Sequence, residues 1–97
     1  MARFDLYASE DGYLLDVQSD LIDVLTTRVV VPLMPLDAAP TPARRLNPVF
    51  DIDGTQVVMV TQFLATVPTS ILTDRHSSLA HAQDEITTAL DMVFTGF

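Results

Sequence analysis

The first eighteen residues alternate between apolar and polar side chains. Residues 3–8 follow a period of two, residues 13–18 follow it again, and residues 9–12 between them are of turn-forming types. This period is typical of half-buried β-strands, so we predict an antiparallel hairpin. Its two faces carry Leu15 and Val17 on one side and Leu14, Asp16 and Gln18 on the other.

The middle of the chain combines a strand-forming run with prolines. Three consecutive valines within residues 27–34 favour a strand that is buried on both faces. Pro32 lacks an N–H, so we expect it at a bulge or at an edge of the sheet. Four prolines within residues 35–48 predict an irregular loop that crosses or covers the barrel, rather than a linker between domains.

The pair Asp53-Gly54 predicts a tight hairpin between strands at residues 49–52 and 55–62. A two-residue Asp-Gly turn matches the right-handed twist of the strands that it joins. We predict one further short strand over residues 67–72, followed by a polar connection over residues 73–76.

Residues 77–97 have the periodicity of an amphipathic helix. Ser77 or Ser78 can cap its start, and Gly96 fits the left-handed residue that follows a helix. Phe97 either packs onto the body of the protein or forms a hook that faces a partner. The apolar stripe comprises Leu79, Ala82, Ile86, Ala89, Leu90, Val93 and Phe94, and the polar stripe comprises His81, Asp84, Thr88, Asp91 and Thr95.

The order of these elements, several strands and then one helix, predicts the fold class. It indicates a mainly β protein in which an antiparallel, partly open barrel is covered by a C-terminal helix. The chain has 97 residues, 48% of them hydrophobic, which predicts one domain spanning residues 1–97.

Charge and composition narrow the classes of partner. Thirteen acidic residues against five arginines and no lysine give a net charge of −8, which disfavours direct binding to nucleic acid or anionic lipid. The absence of cysteine excludes disulfides and thiolate chemistry. Residues 1–97 show neither an export signal nor a membrane-spanning run, so we expect a cytoplasmic protein with protein partners.

Residues suited to catalysis or to cofactor binding are sparse. Three glycines cannot build a phosphate-binding loop, so we expect no cofactor. Asp51 and Asp53 lack the further ligands of a calcium loop, and His81 with Glu85 supplies too few ligands for a metal site. No serine lies in the strained, glycine-flanked turn of a hydrolase nucleophile. The sequence therefore predicts no metal site and no enzyme activity.

Residues 19–26 hold two large apolar residues in a segment of turn-forming type. Leu21 and Ile22 lie between Asp20 and Asp23. Acidic residues and serine favour a turn or loop here, so the two side chains are either part of the core or exposed for binding.

A short acidic motif and the end of the chain carry a resemblance to a known family. The most specific matches are the run Asp-Val-Gln-Ser-Asp at residues 16–20 and a helix that ends with glycine and one apolar residue. Weaker matches are Ile22-Asp23, Val31-Pro32-Leu33, Pro48-Val49, Val67-Pro68, Leu79 with His81, and Phe94 with Gly96. Over almost its whole length the chain resembles the CcdB toxins.

The resemblance implies a homodimeric, non-enzymatic toxin of a type II toxin–antitoxin module, built on an SH3-like barrel. Members of the family poison DNA gyrase by inserting the ends of both C-terminal helices into the GyrA dimer. A partly disordered CcdA antitoxin neutralises them. The partners implied for this chain are a second copy of itself, a CcdA-like antitoxin and the gyrase A subunit.

The resemblance also implies which residues contact gyrase. Thr95 stands where the gyrase-poisoning members have tryptophan. A buried interface aromatic is a typical hot spot worth about 2 kcal/mol or more, so threonine predicts a weaker contact. The implied gyrase-binding residues are Leu21, Ile22, Asp91, Thr95, Gly96 and Phe97.

Two alternatives remain open. A family member that lacks this tryptophan can bind its antitoxin and inhibit gyrase weakly or not at all. An endoribonuclease of the MazF type has a similar barrel, but a net charge of −8 disfavours a groove that tracks RNA phosphates.

Overall fold

This computed structural model describes residues 2–22 and 24–96. They contain seven antiparallel strands and one α-helix. The strands are β1 (Asp5–Ser9), β2 (Gly12–Asp16), β3 (Thr27–Pro35), β4 (Val49–Ile52), β5 (Thr55–Met59), β6 (Ala65–Pro68) and β7 (Arg75–Ser78). Helix α1 spans Gln83–Thr95, and short 3₁₀ turns lie at Asp20–Ile22, Thr61–Phe63, Thr69–Ile71 and Ala80–Ala82. This architecture confirms the predicted fold class, a mainly β, partly open antiparallel barrel with a C-terminal helix.

The long strand β3 organises the sheet by changing its partner halfway along. The strand order is β4-β5-β3-β2-β1-β7, and β6 pairs with β3 outside this path. Residues 27–30 of β3 pair with β6, whereas residues 33–35 pair with β5. Pro32 lies between these two segments, and its carbonyl accepts a hydrogen bond from the Val60 N–H at 3.0 Å. The missing proline N–H is therefore tolerated within a nine-residue strand, because Pro32 lies where β3 changes its partner.

The core lies on both sides of β3, as the run of valines predicts. Val31 packs into the main cluster between the sheet and α1, together with Leu6, Leu15 and Ile86, which are all fully buried. Val30 faces the other way, into a smaller cluster with Tyr7 and Leu72. Burial of alternate residues on opposite faces follows from the period of two along a strand.

The predicted turn at Asp53 and Gly54 is confirmed. Both residues have positive φ, 54° and 83°, as a two-residue hairpin turn of this twist requires. The side chain of Asp51 also accepts a hydrogen bond from the Gly54 N–H at 2.9 Å, so the carboxylate stabilises the turn.

The C-terminal third differs most from prediction. The strand predicted over residues 67–72 is displaced to Ala65–Pro68 and is followed by a 3₁₀ turn. Strand β7 (Arg75–Ser78) lies where we predicted the polar connection and the start of the helix, and it pairs with β1. Helix α1 begins only at Gln83. Ser78 accepts a hydrogen bond from the Ala80 N–H at 3.1 Å, ahead of the helix rather than at its first turn. Pairing with the open edge of β1 overrides the local preference of this segment.

Helix α1 ends as predicted, but its last turn is less buried than predicted. Gly96 adopts a left-handed conformation, with φ of 83°, and its N–H donates to the carbonyl of Met92. Ile86 and Ala89 are fully buried, whereas Phe94 is 69% exposed and leaves the predicted apolar stripe incomplete. At 13 residues α1 is too short to span a bilayer, and no other helix in the described ranges is long and apolar enough to do so.

Candidate partner-binding surface

A groove of about 370 Å³ runs between α1 and the 3₁₀ turn Asp20–Ile22, here called the 20–22 turn. The apolar side chains that line it include Ile22, Val29, Leu90 and Phe94, and the charged ones are Arg3 and Asp91. Most of the surface of this turn–helix groove is apolar, with one cation and one carboxylate in its lining. Such a composition suits a protein side chain better than a phosphate group.

Large apolar side chains are exposed beside the groove. Leu21 is 93% exposed and Ile22 is 49% exposed, and further along the chain Val24 and Leu25 are exposed as well. Phe94, from α1, is 69% exposed. A cluster of exposed apolar residues on a small protein is typical of a surface that contacts a partner.

The structure brings together part of the predicted gyrase-binding set. Ile22 and Asp91 line the same groove, although they are far apart in the chain. Leu21 lies in the same turn as Ile22 but does not line the groove. Thr95 and Gly96 form the end of α1, where the Thr95 hydroxyl donates to the Asp91 carbonyl at 2.7 Å. Phe97 lies outside the described residues, so the choice between core plug and hook stays open.

A buried ion pair lies beneath the 20–22 turn. Arg28 donates two hydrogen bonds to the Asp16 carboxylate, at 2.8 Å from Nε and 3.0 Å from Nη2. The two side chains are 1% and 0% exposed. Burial raises the pKa of the Asp16 carboxyl, while hydrogen bonds from Arg28 and from the Gln18 N–H oppose the rise. This two-point geometry fixes Arg28 as well as neutralising its charge.

Two further contacts tie the 20–22 turn to the barrel. The Gln18 side chain donates to the Ile22 carbonyl at 3.0 Å and accepts from the Val29 N–H at 3.1 Å. The Asp20 carboxylate accepts from the Arg3 N–H at 2.8 Å. Residues of the Asp-Val-Gln-Ser-Asp motif thus hold the turn in place, and Val17, Gln18 and Ser19 also line the groove.

Phe94 is a candidate binding residue that the helical pattern does not reveal. Its spacing of four from Leu90 places it on the apolar stripe. Leu90 still packs against the core, but Phe94 lines the groove and is exposed. The signal available in the sequence is its position two residues before Gly96, the glycine that ends the helix.

The other chemically suggestive residues form structural contacts. His76 joins the Asp53 turn to β7, with Nε2 2.6 Å from Asp53 Oδ2, and Nδ1 lies 2.9 Å from Ser77 Oγ. Arg45 lies 3.7 Å from the Met92 sulfur. Within residues 2–22 and 24–96, no group of three or more His, Asp or Glu side chains is arranged to hold a metal ion.

Comparison with known proteins agrees with this architecture. The chain has the same fold as an endoribonuclease solved in complex with its cognate antitoxin, from a Mycobacterial species. The TM-score is 0.76 at 17% sequence identity, and the match covers 97% of this chain and 94% of that one. The family model described as CcdB protein matches residues 3–96, nearly the entire chain. This protein belongs to the CcdB family.

Proposed function

We propose that this protein is a non-enzymatic toxin that binds the A subunit of DNA gyrase through the turn–helix groove and the end of α1. The observation that carries the proposal is the position of Ile22, Asp91 and Phe94 around one groove, beside the exposed Leu21. Two separate elements of a CcdB-family chain thereby contribute apolar side chains to one continuous surface.

The exposed apolar side chains supply a physical basis for affinity. Full burial of one leucine, isoleucine or phenylalanine side chain contributes roughly 1.5–3 kcal/mol. Leu21 and Phe94 keep most of their surface in water, so each has most of this contribution to gain from a partner. Thr95 offers less area than an aromatic residue, and the proposed contact with gyrase is correspondingly weaker.

The proposed antitoxin is a CcdA-like disordered segment in which basic residues alternate with apolar anchors. A net charge of −8 attracts a basic segment and speeds the encounter. Association should slow as ionic strength rises, and an association rate independent of salt would remove the electrostatic part of this proposal.

A homodimer is also proposed, with an interface around Met92 and the main sheet. Met92 is half-buried and lies near Arg45, on the loop between β3 and β4. Twofold dimers are common among small proteins because they bury apolar surface that one chain leaves wet. Sedimentation of a monomer alone at micromolar concentration would contradict the proposed homodimer.

Because gyrase is a cytoplasmic enzyme, the proposed target also implies a cytoplasmic location for this protein.

A matched pair of substitutions tests the proposed gyrase surface. Ile22 and Ile71 are similarly exposed, at 49% and 52%, and both lie at the end of a 3₁₀ turn. We expect Ile22→Ser to weaken binding to a purified GyrA domain by about tenfold, a typical loss for a contributing interface side chain. Ile71→Ser should bind as the native chain does.

Equal losses for the two serine variants would show that the groove is not the gyrase contact.

The native protein should leave RNA intact on prolonged incubation. An RNA-cleaving activity that co-purifies with the protein would instead favour the endoribonuclease alternative.

A further inference from the structure

The 20–22 turn has little hydrophobic anchoring of its own. None of its three residues is buried, and Leu21 and Ile22 direct much of their surface to solvent. A segment that buries little apolar area gains little from the hydrophobic effect and must be held by other contacts. Within the turn, the Leu21 N–H donates to the Ser19 hydroxyl and the Ile22 N–H donates to the Ser19 carbonyl, both at 3.2 Å.

Gln18 supplies the contact that joins the end of this turn to the sheet. It is only 5% exposed, and its amide bridges the Val29 N–H in β3 and the Ile22 carbonyl. Its main chain is held as well. The Gln18 N–H donates to Asp16 at 3.1 Å, and the Gln18 carbonyl accepts from Arg28 at 3.3 Å.

We propose that Gln18 is a positioning residue, which fixes the 20–22 turn on the barrel so that Leu21 and Ile22 are presented to the partner in one conformation. The buried Asp16–Arg28 pair acts one step further away, because it fixes the main chain of Gln18. This inference rests on the proposed function of the groove, but the fixing of the turn is measurable without a partner.

The arrangement has an energetic rationale. An ordered turn loses less conformational entropy on binding than a mobile one, so holding it in advance raises affinity without adding a contact. Apolar burial cannot hold Leu21 and Ile22 if they are to remain available. Buried hydrogen bonds from Gln18 can hold the backbone of the turn while leaving its side chains exposed.

Gln18→Met removes both amide hydrogen bonds and keeps a side chain of similar length. Asn47→Leu is the matched control, because Asn47 is also a buried amide that holds a loop. It donates to the Met59 carbonyl and accepts from the Ala43 N–H, both at 3.0 Å, away from the 20–22 turn. Both variants lose buried hydrogen bonds, so both should lose global stability.

Backbone NMR relaxation separates positioning from stability. In Gln18→Met, the order parameters of Leu21 and Ile22 should fall from about 0.85 to below about 0.6, and they should stay high in Asn47→Leu. Binding to a GyrA domain should weaken by about tenfold in Gln18→Met and remain native in Asn47→Leu. Unchanged order at Leu21 and Ile22, or equal loss of binding in both variants, would overturn the proposal.

A second variant decides the matter if Gln18→Met does not fold. Asp20→Ala removes the bond from the Arg3 N–H and a 3.7 Å ion pair with Arg28 at the other end of the turn, where the Asp20 side chain is 58% exposed and the cost to folding is small. With the Gln18 amide intact, Ile22 should stay ordered in this variant, and a mobile Ile22 would contradict the inference. If the native chain fails to bind GyrA, the proposed function fails, while the relaxation data still decide whether the hydrogen bonds fix the turn.

Discussion

Removing the buried guanidinium beneath the 20–22 turn should destabilise the whole protein. In Arg28→Met, the Asp16 carboxylate loses hydrogen bonds of 2.8 and 3.0 Å at a position that is 0% exposed. Breaking a fully buried pair on one side typically costs about 3–5 kcal/mol. For a domain of this size, such a loss lowers the melting temperature by roughly 12 °C or more.

The double variant Asp16→Leu with Arg28→Met separates the charge from the geometry. Replacing both partners leaves no unpaired charge, so the double variant should be more stable than Arg28→Met alone. The double variant should not recover the full stability of the native chain, because the Gln18 N–H and carbonyl lose their partners at a cost of about 1–3 kcal/mol each.

Urea unfolding at neutral pH measures these differences, provided that the slope with denaturant is unchanged. A loss below about 1 kcal/mol in Arg28→Met would refute a stabilising role for the pair. A double variant no more stable than Arg28→Met would show that an unpaired charge is not the cause of the loss.

Two further outcomes are expected. Thr95→Trp should strengthen binding to a GyrA domain by about tenfold or more in a titration, because it adds aromatic area at the end of α1, and an unchanged affinity would place the contact elsewhere. Burial, followed by the charges of Asp5 and Asp16, raises the pKa of Tyr7 in the folded protein. The neutral Tyr7 side chain therefore contributes fully to stability below the pKa of the unfolded chain, about 10. This contribution is lost as pH rises through the pKa of the folded protein. Urea unfolding above pH 10 should show this loss in the native chain but not in Tyr7→Phe.

Local sequence patterns predict the hairpins well because turn chemistry is local. The Asp53-Gly54 pair requires positive φ, and the alternating faces of β2 appear directly in the order of its residues. The same patterns miss β7, whose polar residues form a strand because β1 offers an open edge. That edge is created by residues some seventy positions earlier, so a local reading cannot include it.

The candidate site is only partly accessible from sequence. The family resemblance identifies Ile22 and Asp91, and the fold places both on one groove. Arg28 is different, since an isolated arginine in a valine-rich segment gives no sign that it is 1% exposed. Its burial depends on pairing with Asp16 across two strands. Helical periodicity places Phe94 on the apolar stripe, but it does not indicate where the sheet beneath a helix ends.

Chemical-shift mapping with a purified GyrA domain tests most directly whether the turn–helix groove is the partner surface. Isotope-labelled protein is titrated with the unlabelled domain, and perturbed backbone and methyl signals are assigned. We expect the largest changes at Leu21, Ile22, Leu90 and Phe94, with Ile71 unchanged as an internal reference. Binding that perturbs Ile71 and the β4 edge while leaving Ile22 and Phe94 unaffected, or no binding at all, would contradict the proposed gyrase contact.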